Sequence, residues 1–387
     1  MQHVKANLES TTSLVNVNHL PMAPPRYRAV KKNDISASFK ATKPVLFSES
    51  LSRPSGLVQK IACVDWSPTG SLLATCTTAT IRIWNAERPN VKSSTEIKNA
   101  HAKGGAAFGA PGVSGDNVEK IAFCPTAEGT LASSGRDGMV RLWDARVPGA
   151  ATNVGGKGTA LADCRTGSEG HFLTWHPNGR EMLLGRIDDQ IYSIDIRYVT
   201  NADNTPNYTL EATERIHRGN ATYYQMAFSN TGREVFASTK GGSVKIFDYP
   251  SMSLLHTLMG HPETTYTVQQ SPAGTYVAAG SADSNITLWD THNWFCTHTL
   301  SSQGQSTSIK DISFSYDGTY LVAGSGDMAR DVGGGMAVYH VDTGEVVHTV
   351  ETVNCPTFVA WHPTRYWIAY AGDPGGLKVV GGSGTLV

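Results

Sequence analysis

The sequence has no long apolar run and no motif of a secreted protein. No window approaches the roughly 18 apolar residues that a membrane-spanning helix needs. The first ten residues, MQHVKANLES, contain no apolar segment of the kind that forms the core of a secretory signal. We therefore expect a protein that is neither inserted in a membrane nor secreted.

Cysteine is scarce and never paired in sequence. The six cysteines fall singly, with no C-x-x-C spacing, which predicts reduced thiols in an intracellular protein. P-loop, dinucleotide-binding, G-x-S-x-G and H-E-x-x-H motifs are also missing. The sequence thus predicts no cofactor, no metal, no small-molecule substrate and no enzymatic activity.

Charge is nearly balanced over the whole chain but not along it. Lys and Arg total 32 against 33 Asp and Glu, which argues against a protein that wraps nucleic acid. Residues 1–60 nevertheless hold nine basic and three acidic residues. We interpret residues 1–42 as a basic, largely irregular arm that either docks on an acidic partner, weakly touches RNA phosphate or is simply solvated. Its candidate contacts are Arg26, Arg28, Lys31 and Lys32.

A short pattern recurs seven times along the chain. Each copy has an apolar residue, and in six of the seven copies an aromatic residue follows two positions later. This spacing places both side chains on one face of a β-strand. A turn such as Ser67-Pro-Thr-Gly70, a second apolar strand and a third strand follow. The repeats cover residues 61–85, 118–144, 170–195, 222–248, 264–290, 309–340 and 357–381.

These units resemble WD repeats, each of which contributes a four-stranded blade to a β-propeller. The Trp-Asp pair itself occurs at 143–144 and at 289–290. The resemblance implies an all-β, seven-bladed WD-repeat propeller over residues 43–382 with a short tail at 383–387. It also implies that an N-terminal strand, within Lys43–Ser50, closes the ring. A β-sandwich is the alternative that alternation alone leaves open.

The WD-repeat family often ties its loops with a His, a Ser or Thr, an Asp and the terminal Trp. In blade 5, His261, Asp283 and Trp289 match this pattern, but Ala279 replaces the hydroxyl residue. Because such groups recur inside a repeat, we interpret them as structural ties rather than catalytic triads. In blade 2 the matching residues are His101, Ser133, Asp137 and Trp143.

Two Gly-rich insertions predict where partners bind. One, at 102–117, is expected between the outer and first strands of blade 2, and the other, at 328–335, between the second and third strands of blade 6. These two connections emerge on the same face of a propeller, so we expect that face to contact partners through Arg136, Lys240 and Arg330. Tolerated loop length is the alternative. On the opposite face, Arg146 and Arg197 precede polar segments at 147–158 and 199–208 that we expect to be mobile.

The last three blades carry a narrower resemblance. Pro356–Pro363 followed by Ile368–Asp373 is similar to the WD-repeat subunits of the THO complex, a part of the TREX assembly. This implies a nuclear, non-enzymatic scaffold that couples transcription to mRNP assembly and mRNA export. Its partners would be other THO/TREX subunits, including a large helical one.

An alternative function rests on a short motif. Trp143-Asp-Ala-Arg146 resembles the sequence by which WD-repeat substrate receptors dock on cullin-RING ubiquitin ligases, and Ile194-Asp-Ile-Arg197 is a weaker copy.

Overall fold

The computed structural model describes residues 30–40, 43–48, 61–77, 80–88, 94–98, 100–101, 118–146, 160–200, 206–216, 221–301, 307–326, 334–352, 356–371 and 376–381. Within them the strands form seven four-stranded antiparallel sheets. The inner strand of each sheet contacts the inner strands of both neighbours, and the first sheet contacts the seventh. The fold is therefore a closed seven-bladed β-propeller, as the repeats predict.

Blades 1 to 3 each use four consecutive strands, ordered from the channel to the rim. Blade 1 contains β2 Cys63–Trp66, β3 Leu72–Cys76, β4 Thr80–Asn85 and β5 Thr95–Lys98. Blade 2 contains β6 Val118–Phe123, β7 Thr130–Gly135, β8 Met139–Asp144 and β9 Ala162–Arg165. Blade 3 contains β10 Gly170–Trp175, β11 Glu181–Arg186, β12 Ile191–Thr200 and β13 Pro206–Ile216.

Blades 4 to 6 repeat this order, whereas blade 7 takes its outer strand from the N-terminal side. Blade 4 contains β14 Tyr223–Phe228, β15 Glu234–Thr239, β16 Ser243–Asp248 and β17 Leu254–Met259. Blade 5 contains β18 Thr265–Gln270, β19 Tyr276–Ser281, β20 Asn285–Asp290 and β21 Cys296–Ser301. Blade 6 contains β22 Ile309–Phe314, β23 Tyr320–Ser325, β24 Gly334–His340 and β25 Val346–Thr352. Blade 7 contains β26 Phe358–Trp361, β27 Trp367–Ala371, β28 Gly376–Gly381 and β1 Val45–Ser48.

Strand β1 closes the ring. It pairs antiparallel with β28, with Phe47 opposite Leu377. Phe47 is buried, and its ring meets Trp84 of blade 1 edge to face at 5.9 Å between centroids. The predicted N-terminal closure is thus confirmed, and it joins the last blade to the first through both backbone and side-chain contacts.

The turns after the inner strands also join neighbouring blades. His362 of blade 7 lies against Gly70 of blade 1, with Nε2 donating to the Gly70 carbonyl at 3.2 Å. Burial lowers the pKa of His362 to about 4, so its Nδ1 is free to accept from the Thr364 N–H at 3.1 Å. Gly70 has φ +78°, and a Cβ there would lie 2.1 Å from the His362 ring. The turn therefore requires glycine both for its backbone and for this close approach.

A helix that the sequence did not reveal lies within the predicted arm. Helix α1, Lys32–Lys40, buries Ile35 and Phe39, which are four residues apart and so share one helical face. Phe39 stacks on His348 of β25 at 5.2 Å and meets Trp361 edge to face at 6.0 Å. The helix thus packs on blades 6 and 7. Residues 1–29 lie outside the described residues.

Three local predictions need correction. The strand at 95–98 pairs with β4, so it is the outer strand of blade 1 and the insertion at 102–117 connects blades 1 and 2. Gly334 and Gly335 of the predicted insertion at 328–335 belong to β24, because they pair with Thr352 and Glu351. Of the segment 199–208, predicted as a mobile connection, residues 199–200 and 206–208 instead belong to a β-ribbon in which β12 and β13 pair as far as Thr200 opposite Pro206.

Candidate partner-binding faces and central channel

The predicted tie residues of blade 2 come together in one hydrogen-bonded chain. Trp143 Nε1 donates to Ser133 Oγ at 2.8 Å, and Ser133 Oγ lies 2.7 Å from His101 Nε2. His101 Nδ1 lies 2.8 Å from Asp137 Oδ1. Burial acts to raise the pKa of Asp137, but hydrogen bonds from His101 and Arg141 outweigh it and lower that pKa. The chain therefore ends on a carboxylate and holds the loop that carries His101.

Blade 5 builds the same chain with a different hydroxyl. His261 Nδ1 lies 2.9 Å from Asp283 Oδ2, and His261 Nε2 lies 2.9 Å from Thr287 Oγ1. Trp289 Nε1 donates to the same Thr287 oxygen at 2.9 Å. Thr287 stands directly opposite Ala279 in the ladder. The hydroxyl that the sequence pattern lacks at Ala279 is thus supplied from the neighbouring strand.

Arg136 and Lys240 lie in equivalent turns, between the second and third strands of their blades. Arg136 Nε lies 2.7 Å from Glu119 Oε1 and 2.6 Å from Glu169 Oε1, so it bridges blades 2 and 3. The Lys240 N–H donates to the Thr222 carbonyl, and the Lys240 carbonyl accepts from the Thr264 hydroxyl. Lys240 itself is exposed. Arg330 and the insertion at 102–117 lie outside the described residues.

An aromatic row borders the channel on this face, and sequence reasoning missed it. Tyr224 lies between His171 and Tyr266, with ring centroids 5.6 Å and 5.1 Å away. Lys310 Nζ sits 3.3 Å from the Tyr266 ring centroid, a cation–π contact. All four residues come two positions before the apolar column of their repeats. This shared position relative to the apolar residue is the signal by which the sequence could have revealed them.

The cations predicted on the opposite face are paired with acids of their own blades. Arg146 binds Asp144 through two nitrogens, at 3.0 Å and 2.9 Å. Arg197 binds Asp195 at 3.1 Å and Glu211 at 2.8 Å. Both arginine side chains remain more than 60% exposed, at 68% and 63%, so they are accessible despite their partners.

Two of the four candidate contact residues of the predicted arm are described. Lys31 is exposed, and Lys32 forms an ion pair with Glu345 of blade 6. Arg26 and Arg28 lie outside the described residues.

Around the central channel, polar side chains of the inner strands bind the backbone of the adjacent blade. The channel forms a cavity of 590 Å³ lined by all seven inner strands. Asp65 accepts from the Phe123 N–H at 2.7 Å, and Asp311 accepts from the Val359 N–H at 3.1 Å. Gln225 and Gln269 make the same kind of link onto blades 5 and 6. These four side chains form a polar belt around the channel that holds neighbouring blades together.

The pKa values of the two carboxyls among these side chains, Asp65 and Asp311, are raised well above their usual range. Burial raises the pKa of Asp65 to about 8 against the lowering effect of the Phe123 N–H, with Cys63 adding to the rise. Burial raises the pKa of Asp311 to about 7, opposed by the positive charge of Lys120. Among the described residues no group of three or more His, Cys, Asp or Glu is placed to hold a metal ion.

The rim of blades 4 and 5 exposes large apolar side chains. On β17, Leu255 and Met259 are 45% and 72% exposed, and Phe295 beside β21 is 69% exposed. Trp294, next to Phe295, lies 5.8 Å from His256 of β17, so Phe295 follows a residue that contacts β17. A group of exposed apolar residues on an edge strand is typical of an interaction surface.

Comparison with known proteins decides the family of the repeats. The WD domain, G-beta repeat family (WD40) matches residues 55–85, 112–144, 252–290 and 294–329. This chain is a WD40-repeat β-propeller. A solved β-propeller domain of Myceliophteria thermophila Cps50 (Swd1) has the same fold, with a TM-score of 0.63 at 16% identity, covering 85% of this chain and 98% of that one.

Two curated relatives are similar over most of the propeller. THO complex subunit 3 of Arabidopsis thaliana is 29% identical over 82% of this chain and 88% of its own length. The WD repeat-containing protein AAC3 of Dictyostelium discoideum is 25% identical over 82% of this chain and 62% of its own length. In the part of the chain that the structure describes, no helix is long and apolar enough to cross a membrane.

Proposed function

We propose that this WD40-repeat propeller is the THO complex subunit 3 of its cell, a nuclear and non-enzymatic scaffold that couples transcription to mRNP assembly and mRNA export. The observation that carries the proposal is the similarity to the Arabidopsis subunit, which extends over 82% of this chain and 88% of that protein. A match over more than four fifths of both chains extends well beyond a single repeat.

The geometry of the polar ties supports a role without catalysis. Ser133 resembles a nucleophile beside His101 and Asp137, but it has no exposed surface. Its oxygen is already engaged by both Trp143 Nε1 and His101 Nε2. A substrate carbonyl therefore has no route to this oxygen, and the tie holds a loop in place.

The proposed partner is a large helical THO subunit that packs on the rim of blades 4 and 5. Leu255, Met259 and Phe295 offer apolar side chains of the kind that fill the centre of a protein interface. Arg136, Lys240 and the aromatic row around Tyr224 would add contacts from the face that borders the channel. RNA contact would be weak and indirect, through the basic arm.

Affinity purification from nuclear extract tests this function. The tagged full chain should recover the other THO subunits, and the double variant Leu255→Glu/Met259→Glu should recover at least tenfold less because it buries charge at the contact. Val346→Glu is the matched control, since Val346 is a 40% exposed apolar residue at the rim of blade 6. Recovery of no THO subunit by the unsubstituted chain would overturn the proposal.

The same purification addresses the cullin-RING alternative. Arg146 of the docking-like motif is held by two hydrogen bonds to Asp144, an arrangement that serves the blade itself. Recovery of a cullin adaptor in place of THO subunits would assign the chain to that class.

A further inference from the structure

Two cysteines of blade 1 stand directly opposite each other on neighbouring strands. Cys63 of β2 pairs with Cys76 of β3 in the antiparallel ladder, and both are buried free thiols. Directly opposed residues of an antiparallel pair have Cα atoms about 4.5–5.5 Å apart. A disulfide spans Cα distances of about 4.4–6.8 Å. The backbone therefore allows an S–S bond without rearrangement of the sheet.

The surroundings of the two thiols make one of them the nucleophile. The Cys76 thiol hydrogen bonds to Cys63, and this bond, together with the charge of Lys120, outweighs burial and lowers the pKa of Cys63. The same interaction and burial raise the pKa of Cys76. Since the thiolate is the reactive form, Cys63 is the sulfur that attacks an oxidant first.

The central channel gives access to that sulfur. Both cysteines lie in the core between blades 1 and 2, but Cys63 also lines the 590 Å³ cavity, beside Asp65 and Lys120, whereas Cys76 does not. A small neutral oxidant that enters the channel therefore meets Cys63, with Cys76 placed to resolve the product.

We propose that Cys63 and Cys76 form a peroxide-sensitive dithiol site that closes into a reversible disulfide. The Cys63 thiolate attacks one oxygen of hydrogen peroxide, an S–O bond forms, the O–O bond breaks, and the released hydroxide takes up a proton to give water. The Cys76 sulfur then attacks Cys63, the S–S bond forms, and the S–O bond breaks. The departing hydroxide takes the Cys76 proton as a second water. The two sulfurs together lose two electrons, and a thiol reductant restores them.

Closure of the disulfide changes a contact between blades. The protonated Cys63 thiol donates to the Ile121 carbonyl oxygen of blade 2 at 3.6 Å, and a disulfide has no proton to donate. Oxidation thus cross-links the two inner strands of blade 1 and removes this link to blade 2.

Peptide mapping of the purified full chain tests the site. The reduced protein is treated with hydrogen peroxide, denatured, alkylated and digested with trypsin, which leaves both cysteines on the peptide 61–82. We expect this peptide to be two hydrogens lighter and unalkylated. Cleavage before Asp65, which lies between the cysteines, should separate the halves only after reduction. Full alkylation of Cys63 and Cys76 after peroxide treatment would overturn the proposal.

Variants separate the roles of the two sulfurs. In Cys76→Ser, Cys63 should stop at the sulfenic acid and be trapped by dimedone, and in Cys63→Ser, Cys76 should stay reduced. Lys120→Met should raise the pKa of Cys63 and slow the oxidation at pH values below that pKa, by up to about tenfold for each unit of the rise, while Lys120→Arg keeps the rate. Cys296→Ser, which removes an exposed thiol, is the matched control. Oxidation of Cys76 at the unsubstituted rate in Cys63→Ser would contradict the mechanism. The mapping of the unsubstituted chain decides the proposal even where a variant does not fold.

Discussion

Thr287 supplies the hydroxyl that Ala279, directly opposite it in the ladder of blade 5, cannot provide. In blade 2 the corresponding opposed pair is Ser133 and Arg141. There Ser133 supplies the hydroxyl, and Arg141 forms an ion pair with Asp137. One chain of hydrogen bonds is thus built from either of two opposed positions, because directly opposed side chains of a sheet project on the same face.

Thr287→Val should destabilise the propeller by about 1–3 kcal/mol. The substitution keeps the shape of the side chain but leaves Trp289 Nε1 and His261 Nε2 without their shared partner in a buried site. Urea unfolding followed by tryptophan fluorescence measures the loss. Adding Ala279→Ser to Thr287→Val returns a hydroxyl from the other strand and should recover part of the stability. No loss in Thr287→Val would show that the tie does not stabilise blade 5.

The sequence predicts the number of blades because each repeat carries its own alternation and turn, and the resemblance to WD repeats implies the closing strand. It could not predict Thr287 as a tie residue, because that role depends on which residues oppose each other across a ladder. Helix α1 was missed for a related reason. Ile35 and Phe39 are only two apolar residues in a polar segment, and the helix acquires its stability from the surfaces of blades 6 and 7.

Phe47→Ala should weaken the closure of the ring. Phe47 is 1% exposed and contacts Trp84 across the junction of blades 7 and 1, so truncation leaves a cavity and costs about 3–5 kcal/mol. Leu46→Ala is the control, since Leu46 lies next to Phe47 on the same strand and its side chain is 48% exposed. Thermal unfolding should separate the two variants clearly. Equal melting temperatures would contradict the assignment of β1 as the closing strand.

Asp65→Asn should stabilise the protein increasingly as the pH rises. The pKa of Asp65 is raised from 3.8 to about 8 in the folded chain, so the folded state binds its proton more tightly than the unfolded state does. The stability that Asp65 contributes is then greatest below about pH 4 and is lost as the pH rises towards 8. Asparagine still accepts from the Phe123 N–H but does not titrate. The free energy of unfolding of Asp65→Asn, relative to that of the unsubstituted chain, should therefore grow by about 1 kcal/mol or more between pH 6 and pH 8.

The neutral member of the same belt provides the reciprocal experiment. Gln269 accepts from the Phe314 N–H at 3.1 Å, so Gln269→Glu places a new carboxyl in the channel and should introduce a loss of stability at high pH. Denaturant midpoints at several pH values measure both variants. Parallel pH profiles for Asp65→Asn and the unsubstituted chain would show that Asp65 is ionised throughout.

Arg136→Glu tests whether the face that carries the turns of blades 2 and 4 contacts the partner. Arg136 is 48% exposed between Glu119 and Glu169, and exposed pairs of this kind contribute less than about 1 kcal/mol. The melting temperature should therefore fall only slightly, while capture of the partner drops because a cation has become an anion in an acidic setting. Arg146→Glu makes the same charge change on the opposite face, where Arg146 is likewise exposed and paired with an acid, so general charge effects are matched. Capture that falls equally in both variants reflects net charge alone, and capture that falls only in Arg146→Glu moves the contact to the other face.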